Sequence, residues 1–372
     1  MKIAVNTRLL VKGKMEGIAW YTYETLSRIT RQHPEHEFYF LFDRPFSEDF
    51  KFSDNVKCLW MPPPTRHIRL FSLWFEWVVP LMLKRVKADL FLSPDGHLSL
   101  ATRVPSLAVI HDLNFHHMPE SLPPAVRDYY NHWFPKFAQK AARIATVSQY
   151  TKSDLVNSYG ISADKIDLTY NGYNSRYTPL DEQKQHEVRS ALSDGMPYFL
   201  FVGLIIPRKN LVRLMQAYDR YRKNGGKPVK LVIVGESKWW DGAHQRTFED
   251  MEYKADVIFT GRLEPQRLSE IMASALALAY VPVFEGFGIP ILEAFASGTP
   301  VITSNVTSMP EVAGDAAHLV NPYDVDDIAA GLHLVAHSDE LLAAFRKKGL
   351  ERARHFSWDH TANALWNSMM QL

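Results

Sequence analysis

The pattern that decides the fold is clearest in residues 275–298, which read ALALAYVPVFEGFGIPILEAFASG. An apolar run of strand length comes first, a loop containing two glycines follows it, and apolar residues at helical spacing come next. Pro290 suits the first turn of that helix, and Gly298 suits its C-terminal cap. The stretch therefore predicts a strand, a loop and a helix, which is the repeating unit of a doubly wound α/β domain.

The same alternation of apolar runs and helical patterns continues through both halves of the chain, so we predict two domains that each contain a parallel sheet. A polar stretch from Asn171 to Met196 separates the halves and is the best candidate for a linker. The predicted strands are 2–9, 37–43, 55–61, 88–93, 106–111, 143–148 and 165–170 in the first half, and 198–204, 229–235, 256–260, 276–282 and 300–303 in the second.

Length and composition agree with this division. A chain of 372 residues exceeds what one typical core serves, and a cleft between two domains is then the default place for a ligand. Lys plus Arg number 42 against 41 for Asp plus Glu, so an overall electrostatic signature of nucleic-acid binding is absent. The single Cys58 excludes an internal disulfide and a multi-cysteine metal cluster, and it fits a reducing compartment.

The apolar segments predict neither a signal peptide nor a transmembrane helix. Met1–Asn6 reaches a charged residue and an asparagine within six positions and reads as the first strand. The most apolar stretch, residues 70–83, is interrupted by Glu76 and Pro80 and is shorter than the ~20 residues that span a bilayer. We therefore expect a cytoplasmic protein.

Residues 66–87 combine cations with aromatic side chains and allow two interpretations. They could form a membrane-surface patch for a lipid-linked acceptor, which would place the protein on the inner face of the cytoplasmic membrane. They could instead form a largely buried helix. Core packing is the interpretation that we favour.

Two cations follow the strand predicted at 198–204. Arg208 and Lys209 lie just before Asn210, a plausible N-cap for the helical pattern that begins at Leu211. Paired cations at the carboxyl end of a strand, beside the positive start of a helix, suit a diphosphate. The alternative is an ordinary solvated pair of cations.

Two carboxylates flank the glycine loop of the opening stretch. Glu285 lies on the loop and Glu293 lies in the following helix, roughly 10 Å away for an ordinary helical rise. Gly286 and Gly288 allow the backbone to approach a ligand closely. This separation of the carboxylates suits two ends of one nucleotide sugar better than an acid–base pair acting on one bond.

Together these motifs resemble the donor-site signature of the family-4 (group 1) retaining glycosyltransferases, which have the GT-B fold. The resemblance implies two Rossmann-like doubly wound domains facing across a cleft, with the acceptor in the first and a nucleotide sugar in the second. It implies that Arg208 and Lys209 hold the donor diphosphate. It also implies that Glu285 lies near the transferred sugar and that Glu293 binds the ribose hydroxyls.

Further segments extend the resemblance in order and spacing. Residues 259–263 correspond to the family's nucleobase region, and residues 309–315 and 321–322 also match. The C-terminal segment from residue 357 resembles the family's last helix, which crosses back onto the first domain. The implied domains are therefore 1–185 with about 357–372, and 186–356. The implied donor-binding residues are Gly203, Arg208, Lys209, Gly261, Arg262, Leu263, Glu285, Gly286, Phe287, Gly288, Ile289 and Glu293.

In the first half the resemblance is looser. His111 follows the strand ending at 110 and resembles the family's cleft histidine near the transferred sugar, although a strand-end histidine can also be a satisfied core residue. With Arg208, Lys209 and Glu285 it completes the implied catalytic set. Gly13 and Gly17 lie on the loop that approaches the diphosphate and acceptor in relatives, and a plain surface turn is the alternative.

The resemblance implies transfer of a hexose, with mannose favoured, from a GDP- or UDP-linked donor to a saccharide or lipid-linked saccharide in polysaccharide or O-antigen biosynthesis. It implies retention of anomeric configuration without a protein nucleophile. We identify no Asp-x-Asp motif of the metal-binding kind, so we expect metal independence and no cofactor beyond the nucleotide-sugar co-substrate. Alternatives are a sugar-nucleotide epimerase or hydrolase of the same fold, and a non-catalytic binding module.

Overall fold

The computed structural model describes residues 1–65, 67–236 and 240–372. The chain forms two compact units, one of Met1–Asn171 with Ser357–Leu372 and one of Gly172–Phe356. Arg66, which belongs to the aromatic-basic segment discussed above, lies outside the described residues.

The boundary between the units lies at 171/172 instead of the expected 185/186. The expected cut would divide the helix Glu182–Ser193, whose start is capped by Asp181 through the amide of Lys184 at 2.7 Å. Arg189 of this helix donates to the carbonyl of Ser274 at 2.8 Å, so the helix is fastened to the second unit. The polar stretch from Asn171 to Met196, which the sequence suggested as a linker, therefore belongs largely to the second unit.

Seven parallel strands form the sheet of the first unit. They are β1 (Lys2–Asn6), β2 (Glu37–Phe42), β3 (Val56–Trp60), β4 (Leu90–Ser93), β5 (Ser106–Ile110), β6 (Arg143–Thr146) and β7 (Ile166–Leu168). Their order across the sheet is β3-β2-β1-β4-β5-β6-β7. The central strands β1, β4 and β5 are almost wholly buried, because helices cover both faces of a parallel sheet.

Six parallel strands form the sheet of the second unit. They are β8 (Tyr198–Val202), β9 (Lys230–Val234), β10 (Val257–Gly261), β11 (Ala277–Tyr280), β12 (Val301–Ser304) and β13 (His318–Val320). Their order is β10-β9-β8-β11-β12-β13. The sequence did not predict β13, a strand of three residues. The predicted fold class, two Rossmann-like parallel sheets in an α/β protein, is confirmed.

The helices follow the strands in alternation. Among the described residues no helix is both long and apolar enough to cross a bilayer. Arg28 Nε of the first helix donates to Asp359 at 2.9 Å, which fastens the C-terminal helix to the first unit. The helices are α1 (Gly17–Gln32), α2 (Ile68–Leu73), α3 (Val79–Val86), α4 (Asn114–His117), α5 (Pro124–Lys140), α6 (Gln149–Tyr159), α7 (Glu182–Ser193), α8 (Leu211–Lys223), α9 (Gly242–Asp250), α10 (Pro265–Ser274), α11 (Ile289–Ala296), α12 (Met309–Ala313), α13 (Val325–His337), α14 (Asp339–Ala353) and α15 (Trp358–Met369).

Each sheet has a switch point where the strand order reverses. In the first unit it lies between β1 and β4, and in the second it lies between β8 and β11. Ligands of doubly wound sheets bind at the carboxyl ends of the strands beside such a point. In the second unit, those ends lead directly into the loops that carry the predicted donor residues.

Gly235 follows β9 and lies against the backbone of Gly203, the residue after β8. A Cβ atom on Gly235 would lie 1.8 Å from the carbonyl oxygen of Gly203. Because backbone cannot yield as a flexible side chain can, we expect Gly235→Ala to lower the free energy of unfolding by about 3 kcal/mol in urea denaturation. Gly17→Ala is the control, since a Cβ there meets nothing within 4 Å. Equal losses in the two variants would contradict this account.

Candidate functional site

Two loops carry most of the residues that the sequence assigned to donor binding. Residues 203–210 follow β8, and residues 281–288 follow β11. The amide of Val283 donates to the carbonyl of Arg208 at 2.9 Å, so a backbone hydrogen bond joins the two loops. The switch point of the second sheet therefore brings together residues that are far apart in sequence.

A buried ion cluster forms where these loops meet. Lys209 Nζ lies 2.6 Å from Glu285 Oε1, and the Arg208 guanidinium pairs with the same carboxylate. Burial alone would raise the pKa of Glu285, yet the charges of Arg208 and Lys209 hold it below its ordinary value. One carboxylate facing two cations leaves a surplus of positive charge in the cluster.

Tyr280, the last residue of β11, completes the cluster and was missed by the sequence analysis. Its hydroxyl accepts a hydrogen bond from the Lys209 ammonium and is also hydrogen-bonded to Glu285. Burial raises the pKa of Tyr280, so the hydroxyl stays neutral. Tyr280 therefore fixes the Lys209 side chain without adding charge. In the sequence it reads only as an apolar residue of a buried strand.

Asn210 does not act as the predicted N-cap. It occupies the position before α8 with a left-handed backbone, φ 63°, and makes no side-chain capping bond. Its Nδ2 donates instead to the carbonyls of Val281, at 3.0 Å, and Pro322, at 2.7 Å. Because the side chain of Asn210 donates to carbonyls outside its own loop, it connects the loops that follow β8, β11 and β13.

The glycine loop leads into α11 as the sequence predicted. Gly288 precedes the helix with φ 97°, and Pro290 lies in the first turn. A Cβ on Gly288 would lie 2.7 Å from Met309 Cε, and Ser308 Oγ donates to the carbonyl of Glu285 at 2.9 Å. Ser308 and Met309 thus pack against the glycine loop and hold it in place. The Phe287 ring is buried near that of Phe356, with 5.9 Å between centroids, so its side chain belongs to the core.

Glu293 is connected to a residue that precedes α7. It is hydrogen-bonded to Tyr177, and burial raises the pKa of Glu293 to about 7 against the opposing effects of Tyr177 and Arg176. The carboxyl group also contributes to the electrostatic environment of Tyr280, which places it in the same neighbourhood as the ion cluster. Tyr177 has no sequence signal, because it falls in a stretch that reads as a linker.

The residues assigned to the nucleobase end lie two strands from the switch point. Gly261 closes β10, and its carbonyl accepts the amide of Gly235 at 3.1 Å. Arg262 is exposed and pairs with Glu236 at 3.4 Å. A Cβ on Gly203 would lie 3.6 Å from Lys209 Cε, so Gly203 adjoins the ion cluster. The carboxyl ends of β8, β9 and β10 thus form one continuous edge.

His111 lies at the carboxyl end of β5 in the first unit. Its Nε2 is 2.9 Å from the carbonyl of Pro94 and must carry the hydrogen, since a carbonyl only accepts. The ring meets the edge of Tyr21 with 4.9 Å between centroids. Burial lowers the pKa of His111 to about 4, so the imidazole is neutral at physiological pH.

A second ion pair, also missed from sequence, lies at the switch point of the first sheet. Arg8 Nε and Asp95 Oδ2 are 2.6 Å apart and buried. Asn6 donates to Asp95 at 2.8 Å, and Ser93 Oγ donates to it at 3.1 Å. The sequence signal that could have revealed this pair is the presence of polar residues at the ends of the neighbouring strands β1 and β4. The pair anchors the segment whose Pro94 carbonyl orients His111.

The remaining first-unit candidates are on the surface. Gly13 has a left-handed backbone, φ 76°, and Gly17 is the first residue of α1. His117 is paired with Asp154 at 2.8 Å. Within residues 1–65, 67–236 and 240–372, no group of three or more His, Cys, Asp or Glu side chains could hold a metal ion.

An Asp-x-Asp string does occur in the chain, at Asp324–Asp326. Asp324 Oδ1 accepts the amide of Asp326 at 2.8 Å and caps α13. Asp326 is paired with Arg220. These carboxylates are accounted for by a helix cap and a surface ion pair.

Comparisons with known proteins bear on the family and the fold. The family description "Glycosyl transferases group 1" matches residues 182–352, and "Glycosyltransferase Family 4" matches residues 15–177. O-antigen chain mannosyltransferase B of Escherichia coli is 30% identical over 264 residues, which cover 71% of this chain and 69% of that protein. O-antigen chain mannosyltransferase RfbU of Salmonella typhimurium is 29% identical over 215 residues, 58% of this chain and 56% of that protein.

Among solved structures, Anabaena Alr3699/HepE in complex with UDP-glucose matches with a TM-score of 0.76 at 16% identity, and the match covers 100% of both chains. The two parallel-sheet units and these matches define a glycosyltransferase of the GT-B fold. The chain belongs to the family-4 (group 1) glycosyltransferases.

The raised pKa of Glu293 leads to a prediction about stability. A carboxyl group with a folded-state pKa near 7 retains its proton while the unfolded chain has lost it, so its contribution to stability is lost as pH rises from about 4.5 to about 7. We expect Glu293→Gln to stabilise the ligand-free protein by about 1–2 kcal/mol at pH 8, allowing for partial exposure, and to have little effect near pH 4.5.

Urea unfolding of wild type and variant at the two pH values measures this difference. Glu351→Gln changes an exposed glutamate of α14 and serves as the control. A stability difference that is the same at both pH values would show that ionisation of Glu293 is not its cause.

Proposed function

We propose that this glycosyltransferase moves a hexose, with mannose favoured, from a GDP- or UDP-linked donor to a saccharide or lipid-linked saccharide, with retention of configuration and without a metal ion. The assembly of Arg208, Lys209 and Glu285 at the switch point of the second sheet is the observation that carries the proposal. The names of both matched relatives support mannose and an O-antigen type of product.

The charge of the site supports a diphosphate ligand. Two cations paired with one carboxylate leave a net positive charge, which would attract a negatively charged diphosphate. Helices α8 and α11 both begin beside this cluster without a side-chain cap. In α11, Pro290 has no amide hydrogen and the Ile291 amide donates to the carbonyl of Gly288 at 3.0 Å, so the first amides of α8 are the better candidates for contact with phosphate oxygens. The dipoles of both helices favour an anion.

Glu293 would hold the other end of the donor. Its carboxylate can accept hydrogen bonds from ribose hydroxyls, and the edge formed by Gly261, Arg262 and Leu263 would receive the nucleobase. Because Glu293 titrates near neutral pH in the ligand-free protein, donor binding should favour its ionised form. Tyr177 would then keep the carboxylate oriented.

Catalysis would rest on stabilising the leaving group. As the glycosidic bond breaks, negative charge grows on the diphosphate, and Lys209 and Arg208 offset that charge. A diphosphate oxygen would accept the proton of the incoming acceptor hydroxyl on the same face, so no protein nucleophile is needed. Neutral His111 would accept or orient a sugar hydroxyl through Nδ1, because its Nε2–H is used by Pro94.

Lys209→Ala removes one of the two cations and leaves the buried Glu285 with Arg208 alone. We expect kcat/KM to fall roughly 100-fold or more, because stabilisation of the departing diphosphate is lost. Steady-state kinetics with a saturating acceptor measure the effect, and Lys227→Ala, an exposed lysine of the same unit, is the control. Wild-type turnover in Lys209→Ala would require the diphosphate assignment to be abandoned.

The reaction itself is tested by a thermal-shift panel of sugar nucleotides followed by product analysis. We expect a GDP-linked hexose, GDP-mannose first, to raise the melting temperature, because the ligand binds only the folded state. With an acceptor, NMR should show a product whose anomeric configuration matches that of the donor, and a chelator should leave the rate unchanged. Free sugar or an epimer formed without acceptor would instead indicate a hydrolase or an epimerase.

A further inference from the structure

The aromatic-basic segment of the first unit is only half buried. It consists of α2, a π-helical turn at Trp74–Val78 and α3. Trp74, Phe75, Val79 and Leu83 are almost completely buried and form part of the core beneath the sheet. The interpretation as core packing therefore holds for one face of the segment.

The opposite face carries apolar side chains that the protein leaves in solvent. Leu73, Trp77 and Leu81 are 44%, 73% and 70% exposed. They recur at every fourth residue, which places them in one row along a helical segment. Trp77 and Leu81 are the two most exposed large apolar side chains among the residues that the structure describes. Such a row is costly to maintain in water and indicates a partner.

Glu76 does not interrupt this row. Its carboxylate turns towards the protein and accepts the amides of Leu100, at 2.9 Å, and Ala101, at 3.0 Å. The acidic residue that breaks the apolar run in the sequence thus ties the middle of the segment to the loop after β4. No negative charge from Glu76 is presented beside Trp77.

Cations continue the row where the apolar side chains end. Lys84 and Arg85 follow Leu81 in the next turn and are exposed. Lys84 and Lys87 line a shallow depression of about 550 Å³ together with Arg103 from the neighbouring loop. The surface therefore combines a short apolar row with a concentration of positive charge. We call these seven residues the Trp77 surface: Leu73, Trp77, Leu81, Lys84, Arg85, Lys87 and Arg103.

We propose that the Trp77 surface docks on an anionic phospholipid bilayer. Trp77 and Leu81 would enter the interfacial region, where tryptophan is favoured, and the cations would meet lipid phosphates. A protein partner fits less well, because a stable interface buries about 800 Å² per partner and its core is depleted in charge. Three apolar side chains with four cations beside them suit a charged lipid surface better. The proposal is independent of the donor and of the sugar transferred.

Co-sedimentation with vesicles tests the proposal. We expect the intact protein to bind vesicles of phosphatidylglycerol and phosphatidylcholine at least ~10-fold more tightly than vesicles of phosphatidylcholine alone, and to be released by high salt. The double variant Trp77→Ser with Leu81→Ser, and the charge reversal of Lys84, Arg85 and Lys87 to Glu, should each weaken binding to the anionic vesicles ~10-fold or more.

The matched controls are Leu334→Ser and Lys347→Glu, which change an exposed apolar residue and an exposed lysine of the second unit. They should bind like wild type, and circular dichroism should show that all variants are folded. The proposal is overturned if the wild type does not bind anionic vesicles, or if the Trp77-surface variants bind as the controls do. A dimer in sedimentation velocity that Trp77→Ser dissociates would also overturn it and would assign the surface to a second copy of the chain.

Discussion

The two loops of the second unit that carry the donor candidates depend on one buried carboxylate. Glu285 has lost most of its water, and the cost of burying its charge is offset only because Lys209 and Arg208 lie against it. Removing both cations would leave an uncompensated buried charge, which costs several kcal/mol. Arg208 and Glu285 are 77 positions apart in the chain, so this interaction also sets the spacing of the loops that follow β8 and β11.

The switch points of the two sheets carry different arrangements of charge. At the switch point of the first sheet, Arg8 and Asp95 are paired one to one, with Asn6 and Ser93 completing the hydrogen bonds of the carboxylate. That ion pair is electrically balanced. The cluster around Glu285 carries a surplus of positive charge. The same topology thus carries a balanced ion pair in one unit and a carboxylate paired with two cations in the other.

The sequence predicted the α/β class, the parallel sheets and the loops that carry the donor candidates, because strand and helix periodicities are local. It did not predict β13, which has three residues, or the side-chain bonds of Asn210, which reach two other loops. Tyr280 and Tyr177 could not be found either, because each acts through a contact with a residue that is distant or unremarkable in sequence. The roles assigned to all of the donor, catalytic and acceptor-loop candidates rest on resemblance and remain predictions.

Glu76 restricts the movement of the helical segment around it. Because its carboxylate is held by two loop amides, the segment cannot roll about its axis or slide lengthwise without breaking both bonds. If the Trp77 surface docks as proposed, a segment held in this way would rest against the bilayer. Its residence there would be reversible, so the same molecule could exchange between the aqueous pool, where nucleotide sugars are found, and the plane in which lipid-linked intermediates diffuse.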